Sequence, residues 1–207
     1  MFSKFLNLNP EKQEKILSAT IREFADKGFD KASTNEIVKE AGISKGILFH
    51  YFKNKKNLFL FAYDHFIELC MGEFFKKVDT DERDLFIKLR QIASFKLELG
   101  HKYPMIFKFF EVAIAEDCSE VRSEIEERKK TLIESNYSKI FNNIDVSKFR
   151  DGVDVSKSMN IIMWTFEGFG TSELEKAKAS VSKRLDYEKL FAEMDIYLDI
   201  FKAAFYK

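Results

Sequence analysis

The densest set of interacting side chains lies between Thr34 and Leu58. It comprises Thr34, Ser44, Lys45, Gly46, Ile47, Phe49, His50, Tyr51, Lys53 and Lys55. Hydroxyl, ammonium, imidazole and phenol groups donate hydrogen bonds to phosphate oxygens, and lysine also reaches guanine acceptors in a major groove. Ile47 and Phe49 offer apolar contact of the kind a thymine methyl accepts. Gly46 costs up to ~1 kcal/mol relative to alanine in a helix interior, a cost offset where backbone must come close to a partner surface. Lys55, at the start of a helix, adds its charge to the free N–H groups there, which suits a phosphate. Together these groups are what duplex DNA requires.

Other chemistries find no comparable set. His50, His65 and His101 are scattered, without the i, i+4 spacing of metal ligands, and His65 and Cys70 fall off one helical face. GxSxG, Walker, GxGxxG and HExxH patterns are absent, so neither catalytic residues nor metal nor cofactor is expected. Cys70 and Cys118 are the two cysteines and form no CxxC, which fits a reducing compartment. No apolar run approaches the ~20 residues of a membrane span, and the first residues lack the apolar core of a secretory signal. A cytoplasmic location without a membrane partner is expected. Net charge is zero, but residues 1–60 carry +4 and the remainder −4, the asymmetry of a polyanion-binding head on an acidic body.

The elements that must hold these groups are helices. Only 8 Gly and 2 Pro occur in 207 residues, too few for the turns of an all-β chain. Asn9-Pro10 opens a first helix that Gly28 stops. Ser33 and Glu36 form the pattern of a capping box for a short second helix ending at Gly42. Ser44 caps the third, with Ile43 and Leu48 spaced as a hydrophobic staple. Two short helices joined by a tight glycine-containing turn are the helix-turn-helix pattern. Asn54 caps a long fourth helix reaching about residue 78, apolar on several sides. Further helices are expected from about 82 to 99, 104 to 115, 119 to 142, 155 to 179 and 186 to 206, with a polar stretch at 143–154. The fold class is all-α, with about nine helices. The 23 phenylalanines fit either an aromatic core or pocket, or a genome rich in A and T.

The segment Thr34, Ile37, Ala41-Gly42, Ser44-Lys45-Gly46, Leu48, His50-Tyr51-Phe52, Lys55 and Leu58 resembles the DNA-binding head of the tetracycline-repressor (TetR) family of bacterial transcription regulators. The resemblance implies a DNA-binding domain over 1–54, with the helix-turn-helix at about 33–52, and a ligand-binding and dimerisation bundle over 55–207. It implies a homodimer that binds a palindromic operator and is released by a small-molecule effector. Two positions depart from the pattern: Ile47 stands where the family often has Thr, and Phe49 where it usually has Tyr. The hydroxyl that commonly meets a phosphate is therefore missing at 49.

Pocket candidates in the bundle are Phe66, Phe107, Phe110, Glu111, Trp164 and Glu167, a composition that suits an apolar or aromatic effector. Dimer-interface candidates are Gly168, Leu190, Met194, Tyr197 and Phe201. Two other readings stand beside a repressor: a helical ligand-binding adaptor that has lost DNA binding, and an activator.

Overall fold

Helix boundaries in this chain follow from caps and breakers close by in sequence. The structure is a computed structural model that describes residues 2–179 and 186–207. Among these are ten α-helices: α1 (Ser3–Leu6), α2 (Pro10–Lys31), α3 (Thr34–Ala41), α4 (Lys45–Phe52), α5 (Lys55–Lys77), α6 (Leu85–Lys102), α7 (Pro104–Ile114), α8 (Arg122–Phe141), α9 (Val155–Ala179) and α10 (Tyr187–Phe205). The all-α class is as expected, and the additional helix is α1. No helix among the described residues is long and apolar enough to cross a membrane. The chain divides into two compact units, residues 1–73 with 103–135, and residues 74–102 with 136–207.

In the first unit, Asn9 Oδ1 accepts from Lys12 N at 2.8 Å and Pro10 takes the first position of α2, as their order predicts. Gly28 breaks α2 with φ 72° and ψ 177°, a conformation essentially reserved for glycine, and one more turn follows to Lys31. Gly42 closes α3 in the left-handed region at φ 67°.

The capping box at Ser33 does not form. The Ser33 side chain makes no cap hydrogen bond, and its amide donates at 2.8 Å to Glu23 Oε1 on α2. Packing of α2 on α3 thus supplies a carboxylate that the local pattern assigned to Glu36.

Phenylalanine builds the core of this unit. Phe24 and Phe59 meet at 4.9 Å between centroids, and Phe59 lies 5.3 Å from both Phe29 and Phe109. A second group ties the N-terminus to the head: Phe5 meets Phe52 at 4.9 Å and Phe61 at 5.2 Å, and Phe2 meets Phe61 at 4.8 Å. These edge-on and tilted pairs each add ~0.5–1.5 kcal/mol beyond burial.

In the second unit α10 packs on α6 and α9. Asp84 caps α6, accepting from Phe86 N at 2.9 Å and Ile87 N at 3.1 Å. α6 continues through Gly100 to Lys102 and stops before Pro104. The ring of a proline excludes helical geometry from the preceding residue, so Pro104 and not Gly100 sets that end.

The polar stretch after α8 is more ordered than its composition suggests. A 3-10 turn at Val146–Lys148 leads to an isolated bridge between Phe149 and Tyr206, and both rings are buried with Phe86 and Leu198. The Lys88 ammonium is fully buried and donates to Thr80 O at 2.9 Å, Ile140 O at 2.6 Å and Asn143 Oδ1 at 2.7 Å. Burial lowers its pKa against the opposing pull of Asp79, Glu82 and Asp81. Three acceptors satisfy its three N–H groups, the condition for keeping such a group inside.

Candidate nucleic-acid interface

The head presents one face of α4 because the other face is needed by the core. Leu48 and Phe52 are fully buried with Ile37 and Ala41 of α3, and Ile43 packs against the same cluster, as the staple predicts. With Leu48 and Phe52 directed inward, the 3.6-residue repeat turns Ser44, Lys45, Gly46, Ile47 and His50 outward, and all five are exposed.

Ser44 caps α4, its Oγ accepting from Ile47 N at 3.3 Å. Lys45 Nζ stands 5.9 Å from the Phe49 ring centre, one turn on. Phe49 and Tyr51 are half-buried, and Tyr51 leans on Phe5 of α1 at 6.1 Å. Thr34 is half-buried at the first position of α3. A methyl group placed on Gly46 would find only Ser44 Oγ, at 4.0 Å. The glycine is therefore not required by anything within the chain. These features form one basic and apolar face led by a helix N-terminus, a form that fits a major groove.

Two lysines at the exit of α4 differ sharply. Lys53 is exposed, with φ 66° and ψ −48°. Asn54 then caps α5, its Oδ1 accepting from Asn57 N at 2.8 Å. Lys55 turns back into the head. Its ammonium donates to Asp30 O at 3.1 Å and Ala32 O at 3.3 Å, and lies 4.7 Å from the centre of the Phe29 ring.

The segment that Lys55 grips is also held from α7 and from the loop that follows it. Glu116, in the loop between them, accepts from Phe29 N at 2.7 Å through Oε2 and from Cys118 N at 3.1 Å through Oε1. Lys108 of α7 pairs with Asp26. A side chain on Gly28 would start 3.0 Å from Glu116 Oε2 and would need a positive φ as well. Gly28→Ala is therefore expected to destabilise the fold by about 2 kcal/mol, read as a fall of several degrees in Tm. An unchanged Tm would show that the break in α2 relaxes freely.

The pocket candidates do not share one unit. Phe66, Phe107, Phe110 and Glu111 lie in the first; Phe66 is buried and Phe110 meets Tyr63 edge-on at 5.4 Å. Trp164 and Glu167 lie in the second and both are exposed. A shallow groove of about 410 Å³ in the second unit is lined by Val78, Ile87, Arg90, Gln91 and Phe95, none of them among the candidates.

Two of the dimer candidates pack on their own chain. Leu190, Met194, Tyr197 and Phe201 are half-buried; Tyr197 meets Phe169 at 5.4 Å and Phe201 meets Phe166 at 6.2 Å, both on α9. Gly168 is exposed, and an added methyl there would meet nothing within 4 Å. It shares a stripe with Ile161 and Trp164, which are 44% and 67% exposed, at i, i+3 and i+7. On α10, Ile196 and Ile200 are 54% and 56% exposed, one turn apart. The sequence carried a signal for this stripe: α9 and α10 each bear apolar residues on more than one face.

A short α3, a tight turn and an outward-facing α4 define a helix-turn-helix domain of the kind that binds DNA. The family of bacterial regulatory proteins designated tetR matches residues 16–61. It is 28% identical to the helix-turn-helix-type transcriptional regulator YerO of Bacillus subtilis (strain 168), over 85% of this chain and 64% of that protein. The chain thus spans somewhat under two thirds of that relative. It is 24% identical to the fatty acid metabolism regulator protein of the same organism, over 75% of this chain and 80% of that one. The fold is shared with SmeT, the repressor of a multidrug efflux pump in Stenotrophomonas maltophilia, with a TM-score of 0.68 and 17% identity, covering 98% of this chain and 93% of SmeT. It is shared also with the fatty acid degradation regulator FadR of Bacillus halodurans, with a TM-score of 0.63 and 16% identity over 93% of this chain and 96% of FadR.

Proposed function

We propose that this chain is a one-component transcription regulator of the cytoplasm. As a homodimer it binds a palindromic operator and represses transcription, and a small-molecule effector releases it. The observation that carries this reading is the outward face of α4, where Lys45, Ile47 and His50 surround a glycine that the fold itself does not need. Residues 1–54 act as the DNA-binding head. Lys45 reads a base or phosphate, Ile47 and Phe49 make apolar groove contacts, and Thr34, His50 and Tyr51 donate to phosphates. The hydrogen of the Ser44 hydroxyl remains available to a phosphate, because its oxygen is the acceptor in the helix cap.

One head covers too few base pairs to single out an operator. Two heads set ~34–36 Å apart read both halves of a palindrome. The exposed stripe of Ile161, Trp164 and Gly168 on α9, with Ile196 and Ile200 on α10, supplies a face for the second copy. Selection of genomic fragments by the purified protein at moderate salt, followed by sequencing, tests this reading. Enrichment of a palindrome supports it. Uniform recovery of fragments overturns it.

The effector is proposed to be an apolar molecule with an anionic head group, such as a long-chain fatty acid. The named function of two relatives supports the acyl chain. A saturating long-chain fatty acid is then expected to raise Tm and release bound DNA. An unchanged Tm and unchanged DNA binding at saturation would remove fatty acids from the effector class. Release itself is a population shift, so the effector must bind the released state more tightly than the DNA-bound one.

A further inference from the structure

α9 is exposed along one straight stripe. Lys157, Ile161, Trp164, Gly168, Thr171 and Glu175 all face solvent, while Ser158 and Ile162, on the other side of the helix, are buried. At 3.6 residues per turn the six positions stay within ~40° of one line. Their spacing alternates four and three residues, the rhythm that holds one seam of a helix against a partner helix. The middle of the stripe is apolar and both ends are charged, the order of an interface core and its rim.

Trp164 and Gly168 have no use of this kind within the chain. Trp164 is 67% exposed. Gly168, one turn on, has open space where a Cβ would stand, although glycine forms helices poorly. Thr171 is already satisfied: its Oγ1 donates to Glu167 O at 2.9 Å, so covering it strands no hydroxyl. The Lys157 ammonium is loosely tied, 3.6 Å from Asp154 Oδ2, and can turn to a closer carboxylate.

The stripe is its own complement when read backwards. A two-fold axis crossing between Trp164 and Gly168 lays a second α9 antiparallel on the first, so that residue i meets j and j meets i. Trp164 then falls on the partner's Gly168, Ile161 on the partner's Thr171, and Lys157 on the partner's Glu175. Large meets small and cation meets anion. A parallel pairing sets like on like, tryptophan against tryptophan and lysine against lysine.

We propose that two copies pair through α9 in this antiparallel register, with Trp164 seated in the notch that the partner's Gly168 leaves and Lys157 facing the partner's Glu175. This rests on the dimer reading above and adds its register and its selectivity. The seat favours a second copy of this chain, because a helix with a large residue in place of the glycine clashes with the indole.

The test uses full-length chains and reads mass and dissociation constant by sedimentation equilibrium, with Tm as the check on folding. Trp164→Gly alone empties both seats, and Gly168→Trp alone sets two rings at each. Each is expected to raise the dissociation constant about 30-fold or more. Mixed in equal amounts they restore one ring and one notch per seat, and the heterodimer is expected to bind close to as tightly as wild type.

Lys157→Glu and Glu175→Lys form the second pair. Each sets like charges opposite one another, with an expected loss of about threefold to tenfold at low salt, and their mixture is expected to recover the wild-type value. All four positions are exposed, so Tm is expected to stay within a few degrees of wild type. Should a ring variant lose its fold, the charge pair decides alone. Mixtures no tighter than the separate variants, or charge variants that dimerise on their own as well as wild type, overturn the register. A wild type that is monomeric at micromolar concentration overturns the dimer reading, and this assignment with it.

Discussion

Replacing Gly46 with leucine is expected to weaken binding to the enriched operator by roughly tenfold to a hundredfold, the equivalent of about 1.4–2.8 kcal/mol, while Tm holds or rises. The two effects separate because they arise from different surfaces. In the free protein a methyl at this position meets only Ser44 Oγ at 4.0 Å, so a side chain enters open space. The helix gains up to ~1 kcal/mol when a residue with better propensity replaces glycine. In the proposed complex that same space is where the backbone of α4 would approach the floor of the groove. Gly46→Ala should show the same pattern at smaller size. Unchanged affinity in Gly46→Leu would mean that this turn of α4 stands off the DNA, and that the recognition surface lies elsewhere on the head.

The second large effect concerns the copy-to-copy surface. Trp164→Glu combined with Ile200→Glu is expected to convert the dimer to a monomer at micromolar concentration, seen as a halved mass by light scattering. Trp164 is 67% exposed and Ile200 is 56% exposed in the single chain, so neither change opens a cavity. Interface anchors of this kind contribute ~2 kcal/mol or more each, so losing one raises the dimer dissociation constant about 30-fold and losing both raises it further. Far-UV circular dichroism should stay near wild type. Operator binding should fall with the dimer, because a lone head holds one half-site. Tyr197→Ala makes a useful contrast. Its ring packs on Phe169 within the chain, so the expected loss is in Tm before mass. A double variant that remains dimeric would assign the dimer to another face.

What sequence reading recovered, and what it missed, follows the range of the interactions involved. Asn9, Ser44 and Asn54 act as N-caps on amides three residues away, and each was visible as a residue type in its place. The outward face of α4 was equally legible, because Leu48 and Phe52 fix the helix rotation.

The failures involve partners distant in the chain. The Ser33 amide finds Glu23, ten residues back, and not the Glu36 of a local box. Lys55 reaches carbonyls 23 and 25 residues earlier, contacts that no local pattern announces. α1 is only four residues long, too short for any periodicity to register, and exists because Phe5 is buried against Phe52 and Phe61. Trp164 looked like a pocket residue by type alone; its exposure became visible only once Ile162 and Phe166 were seen to use the opposite side of α9. The fold class and the head were thus written in local pattern. The division of labour among individual lysines and aromatics was set by tertiary contacts.

The most direct test of the central claim is a titration of the wild-type chain onto two duplexes, one carrying the palindrome enriched from the genome and one with the same bases scrambled, across a salt series. The expected result is one dimer per palindrome, tighter binding to it than to the scrambled duplex by three orders of magnitude or more, and an affinity that falls steeply with salt. Equal affinity for the two duplexes, or binding indifferent to salt, would contradict a sequence-specific DNA-binding regulator.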